Sequence, residues 1–295
     1  MQSNQIEQGP DVRERDLFYF PPELNIQFWD TNLKEPNAFT VGRICARFYA
    51  PCFEAGECCS PYRQQNALRM LMTFSFYFML VQLAFYITLV VKSTDVTWLV
   101  VPNDDVLMGY GALTKYSIKD HNQYYRFLSF LIMNSSLFQI LVNLFSTFLF
   151  CLPLEKSWGF LRFTAIALVG GIIGGFANAI HCPEPCTGAS CITFSVSGAF
   201  IFLLAVKFSS IGDLAKAEYA FCLMMVPFNF IATSFLPKVD WLAHLMSFFG
   251  GLAMAGVIFS NQIISGCASK TVLVISIVIL ALLVAIPVTL IYVKP

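Results

Sequence analysis

The stretch FLRFTAIALVGGIIGGFANAI, Phe160 to Ile180, decides the fold. Arg162 is its one charged side chain, and a helix of this length, rising ~1.5 Å per residue, reaches across the ~30 Å of hydrocarbon in a bilayer. Comparable apolar runs occupy 71–91, 127–154, 192–208, 219–236, 241–260 and 271–293. The chain therefore reads as an all-α polytopic membrane protein with seven spans, two of them short. Composition agrees, because 57% hydrophobic residues with 12% charged ones leave too little polarity for a water-facing surface. The formal net charge is zero and like charges form no block, which excludes a nucleic-acid interface.

Residues 1–69 carry six prolines from Pro10 to Pro61 among mixed charges and read as a cytosolic, partly disordered N-terminal region. Residues 70–262 hold six spans, and 263–295 an additional C-terminal span. With the N-terminus inside, more of the Lys and Arg residues near span ends fall on the cytosolic side. Those left outside lie mainly in one long loop, 92–126, rich in Tyr and diluted by Asp. The expected location is a membrane of the secretory pathway or the cell surface.

The second run is longer than one span requires, and Asn134-Ser135-Ser136 marks where its helix is expected to begin. Polar groups inside hydrocarbon are costly, so they are the first candidates for function. Gln139 and Asn143 share one face of the second span, Ser197-Gly198 lies near the start of the fourth, and His244 opens the sixth. Counted from the loops, Ser197 falls ~9 Å deep and His244 ~6 Å, so both belong to one layer. A hydroxyl beside an imidazole is a nucleophile with its base, and side-chain amides nearby are donors for an oxyanion. The plainer reading of Ser197-Gly198-Ala199 is a small-residue packing face between helices, and Gly170-Gly171 and Gly174-Gly175 read the same way.

Taken in order, several motifs resemble those of the rhomboid intramembrane serine proteases over roughly residues 115–255. Ser195-Val196-Ser197-Gly198 looks like the family's GxSG nucleophile motif, and Ala243-His244 followed by Gly251 like its AHxxGxxxG motif. Tyr125-Arg126 looks like the first-loop aromatic-Arg pair, Glu155 like the glutamate ending the second span, and Asn143 like the oxyanion asparagine. The resemblance implies a rhomboid-like bundle of six helices plus a seventh. It also implies Ser197 as nucleophile, His244 as general base, and Asn143 with the Ser197 N–H as oxyanion donors, Gln139 standing where the family has a second donor. Single-span membrane proteins, cut near the outer end of their helix, would be the substrates, within membrane lipid and with no cofactor or metal.

Ser195, Ser247, Gln139 and Asn134 depart from the family pattern. Ser247 is expected to widen the approach of the fourth and sixth helices and loosen the Ser197–His244 pair. Two further functions stay open, a rhomboid-like pseudoprotease that binds transmembrane clients and a small transporter or channel. Gly188-Ala189-Ser190 reads like the nucleophile motif with Cys191 in place of its second glycine. Ser190 is ranked below Ser197 because it lies in the loop and lacks the apolar continuation after Ser197. Cys182, Cys186 and Cys191 in that loop allow one disulfide with one thiol left over.

Overall fold

The structure is a computed structural model that describes residues 72–97, 100–182, 184–207, 213–263 and 266–293. The N-terminal region expected over 1–69 lies outside these residues. Seven long helices coincide with the seven apolar runs: α1 Phe74–Lys92, α2 Leu137–Trp158, α3 Phe160–His181, α4 Ser190–Lys207, α5 Asp213–Thr233, α6 Trp241–Phe259 and α7 Gly266–Val293. Five of them (α1, α2, α3, α6 and α7) are long and apolar enough to cross a membrane unaided. In α4 and α5 the apolar helices are shorter, Ser190–Val206 and Leu223–Thr233. The protein is an all-α polytopic integral membrane protein.

α2 begins where the sequence suggested. Ser136 caps it, its hydroxyl accepting from the Gln139 N–H at 3.2 Å. The helix then widens through a π-helical turn, Thr147–Cys151, before ending at Gly159, whose φ of +85° suits a residue without a side chain. At that end Glu155 is buried and accepts from the N–H groups of Phe74 and Ser75 at 2.6 and 2.8 Å. With the Thr73 hydroxyl accepting from Phe76, it satisfies the first turn of α1, whose donors have no intrahelical acceptors. The carboxylate thereby pins the start of α1 to the end of α2.

The centre of the bundle is α3, α4 and α6, packed at backbone distance. A Cβ on Gly198 would collide with the Phe248 carbonyl, and one on Gly251 with the backbone of Ser195. Ser195 and Ser247 both turn toward α3. The Ser195 hydroxyl donates to the Ile166 carbonyl at 2.6 Å beside Gly170, and Ser247 occupies the space left by Gly174. The hydroxymethyl of Ser247 is therefore taken up by a glycine on a third helix, and α4 and α6 remain in close contact. The four α3 glycines are buried packing positions, as the sequence suggested.

α7 packs on α6 and α3, and its Tyr292 hydroxyl meets that of Tyr124 at 2.7 Å. The long segment between α1 and α2 folds into short helices, Asp104–Gly109, Lys115–Lys119 and Arg126–Ser129. Lys238, in the α5–α6 turn, reaches Asp104 at 3.1 Å and Glu184 at 2.8 Å, tying three loops together. Burial pulls its ammonium pKa down, but the hydrogen bonds and charges of Glu184 and Asp104 outweigh that and hold it above its ordinary value.

Glu155→Ala should orphan two buried donors, each worth roughly 1–3 kcal/mol. Thermal unfolding in detergent is expected to show a clear fall in Tm, with Glu155→Gln in between because it keeps one acceptor oxygen.

Candidate active site

Ser190 is the first residue of α4, and His244 lies in the first turn of α6, which Asp240 caps by accepting from the Leu242 N–H at 2.9 Å. The two helices start at the same end of the bundle and run the same way, so their first turns face each other. Ser190 Oγ and His244 Nε2 are 2.6 Å apart, and both residues are fully buried. The opposite ring nitrogen, Nδ1, meets the hydroxyl of Ser234, just past α5, at 2.7 Å. Phe194, one turn below Ser190, stacks on the imidazole with centroids 4.3 Å apart and planes 22° from parallel.

Ser197 does not reach His244. Its hydroxyl donates at 2.8 Å to the Thr193 carbonyl of its own helix, and it lies two turns below Ser190, ~10 Å along the axis. Seven residues bring a helix back to the same face, so Ser190 and Ser197 both point toward α6 at different depths. The depth estimate failed because the loop before α4 descends into the protein. The first residue of α4 stands level with the fourth of α6, and the level of Ser197 belongs to Phe248 and Leu252. A mid-helix N–H such as that of Ser197 is spent on the helix and offers nothing to an oxyanion. Ser197-Gly198 and Gly251 form a packing face.

Residues 186–189, which carry Ser190 into the bundle, are held by backbone hydrogen bonds from three sides. Cys186 exchanges two with Leu113, both 3.1 Å, and Thr187 N–H donates to the Lys238 carbonyl at 2.9 Å. Gly188 and Ala189 donate to Phe130 and Met133 at 3.0 and 3.1 Å. A side chain on Gly188 would strike the Phe130 ring. Cys182 and Cys186 are joined as a disulfide, and Cys191 remains a buried thiol.

Gln139 and Asn143 are buried beside this segment, with different commitments. Gln139 Oε1 accepts from the Ser135 N–H at 2.6 Å, from the Ser135 hydroxyl at 3.0 Å and from Thr187 at 3.3 Å. The backbone donor fixes which end of the amide is oxygen, so Nε2 is left as a buried donor without a partner. Asn143 Nδ2 donates to Asn134 Oδ1 at 2.6 Å, and Asn134 Nδ2 to Gln82 Oε1 at 3.0 Å, extending the amide chain to α1. An apolar cavity of about 450 Å³ opens between α5 and α6, lined by Phe194, Pro227, Phe230, Leu245 and Phe248, and reaches His244.

The sequence profile of the Rhomboid domain matches residues 121–261, a segment running from the first loop to the end of α6. The chain belongs to the rhomboid family. It is 27% identical to RHOMBOID-like protein 7 of Arabidopsis thaliana over 52% of its own length and 49% of that protein. Against RHOMBOID-like protein 2 of the same plant it is 25% identical over 58% and 53%. Identity to Rhomboid-like protease 5 of Toxoplasma gondii is 31%, over 51% of this chain and 18% of that one. The matched stretch thus spans about half of the plant relatives.

In this rhomboid the GxSG-like stretch that faces the histidine is Gly188-Ala189-Ser190-Cys191. Sequence reasoning ranks Ser190 below Ser197 because it reads as part of the loop and lacks the apolar continuation that follows Ser197. The better signal was Gly188, needed where the segment passes Phe130. Ser234 carried no signal, since a serine after a helix is ordinary and its proximity to His244 is set only by the α5–α6 turn.

Arg126 is buried at the base of the first loop. Its Nη1 donates to the carbonyls of Met108 and Ala112 at 2.9 and 2.7 Å, and its Nε to Gln123 at 2.6 Å. The guanidinium holds the loop strand that pairs with Cys186. Arg126→Ala should leave those carbonyls unpaired, and limited proteolysis in detergent is expected to cut faster between 104 and 126. Arg126→Lys should rescue little, because one ammonium does not reproduce the fork.

Proposed function

We propose that this rhomboid is an intramembrane serine protease with Ser190 as nucleophile and His244 as general base. The observation that carries this reading is the 2.6 Å contact between Ser190 Oγ and His244 Nε2 in a buried, polar-lined layer at one end of the bundle. Nε2 takes the hydroxyl proton as Oγ attacks the scissile carbonyl, and returns it to the leaving amine when the peptide C–N bond breaks. Water, deprotonated by the same nitrogen, then releases the acyl group from Ser190.

Charge develops on the carbonyl oxygen in the tetrahedral intermediate. The donors that suit it are the Ser190 N–H, in the first turn of α4 where helix geometry leaves N–H groups free, and the unpartnered Gln139 Nε2. Asn143 supplies its second amide hydrogen, the first being held by Asn134. The apolar cavity reaching His244 suits side chains of a hydrophobic segment. The substrate class is accordingly single-span membrane proteins, cut near the end of the helix at the level of Ser190, which the charge bias of the sequence places on the outer side of a secretory-pathway or plasma membrane.

Purified wild-type protein should label with a fluorophosphonate at Ser190 and release the ectodomain of a reporter whose transmembrane helix contains glycine near its outer end. Ser190→Ala and His244→Ala should fall to background, and Ser197→Ala should retain labelling and cleavage. If wild type releases no more than Ser190→Ala while still binding the reporter, the protein is a client-binding pseudoprotease. Loss of labelling in Ser197→Ala alone would return the nucleophile to that residue.

A further inference from the structure

Serine hydrolases that rely on histidine need that ring in one tautomer, with the nitrogen facing the nucleophile unprotonated and the other carrying the hydrogen. The partner of the far nitrogen makes that choice. His244 Nδ1 lies 2.7 Å from the Ser234 hydroxyl, in a site where both residues are buried. Two neighbouring hydroxyls are otherwise engaged. Thr233 donates to the Asn229 carbonyl at 2.8 Å, and Ser190 holds the opposite side of the ring.

Asp240 is the carboxylate that chain position offers for this role, since it precedes His244 by four residues. It is turned away. Its Oδ1 is 2.9 Å from His181 Nδ1 and accepts from the Leu242 N–H at the same distance. Among the described residues, Nδ1 therefore has one hydrogen-bonding neighbour, a neutral hydroxyl delivered by the α5–α6 turn. The Ser234 N–H itself donates to the Phe230 carbonyl at 3.0 Å, fixing the residue as the last step of α5.

We infer that Ser234 is the positioning residue of the site, accepting the Nδ1–H of His244 and so keeping Nε2 free to take the proton of Ser190. The arrangement is a hydroxyl–imidazole–hydroxyl relay, Ser190–His244–Ser234, with one end supplied by α4 and the other by the α5–α6 turn. Its catalytic consequence rests on the protease reading above, but its structural content does not.

The full chain contains three histidines, His121, His181 and His244. Nitrogen-15 histidine labelling in lipid or detergent, assigned with His121→Asn and His181→Asn, reads the tautomer of His244 directly. Wild type should show a protonated Nδ1 and an unprotonated Nε2. Ser234→Ala should populate the opposite tautomer, and Ser234→Thr, which keeps the hydroxyl, should restore the original. An unchanged tautomer in Ser234→Ala, or a protonated Nε2 in wild type, overturns the inference.

In the reporter assay Ser234→Ala should lower kcat roughly tenfold to a hundredfold, the worth of a buried hydrogen bond to a group that becomes charged, with KM unchanged. Ser234→Thr should recover most of that rate. Equal losses in both variants, or a loss confined to KM, mean that Ser234 only fills space and overturn its positioning role. If wild type neither labels nor cleaves, the protease reading falls, while the nitrogen spectra still decide what Ser234 does to His244.

Discussion

Irregular backbone inside a membrane protein has to find its hydrogen-bond partners within the protein, because lipid offers none. Residues 186–189 meet that demand with donors spent on Leu113, Lys238, Phe130 and Met133, which belong to the first loop and the α5–α6 turn. The first loop is in turn held by Arg126, and the α5–α6 turn by Lys238 with Asp104 and Glu184. These contacts fix the height at which α4 begins, and with it the level of Ser190. Loosening any one of them would move the serine relative to His244 before disturbing the helices.

The fold was legible because its determinant is apolar length, a property a single sequence states outright. All seven runs became helices, the late start of α2 at Ser136 was visible in its capping residue, and the α3 glycines proved to be close packing positions. The site is legible in kind: His244, Gln139 and Asn143 stand out in the sequence as polar groups in apolar surroundings, whereas it is Ser190, two turns from Ser197, that the structure brings to His244. Helical periodicity cannot separate residues seven apart. What separates them is the descent of residues 184–189 into the bundle, a tertiary effect absent from the local sequence.

The departures from family pattern look different once the serine is placed. Ser247, expected to widen the approach of α4 and α6, is taken up by a glycine of α3, as is Ser195, so small and large residues have traded places across a three-helix contact. Cys191 occupies a buried place in α4. Asn134, which replaces a titratable group, joins Gln82 and Asn143 in a neutral amide chain, and Gln139 spends its oxygen on a backbone N–H while keeping a donor free. The polar layer is thus built of amides and hydroxyls with one imidazole, and it needs no buried formal charge.

That economy bears on why a serine stands behind His244. A carboxylate there would attract an imidazolium more strongly, yet an ionised side chain this deep carries a desolvation cost of several kcal/mol. A hydroxyl carries almost none, and it can accept the Nδ1–H hydrogen bond inferred above. The acidic residue nearest in sequence, Asp240, is buried at the start of α6, where its partner is His181, with about half of its side chain exposed. Asp240 has its charge spent on His181 and the first turn of α6, while the groups against the His244 ring nitrogens are neutral hydroxyls.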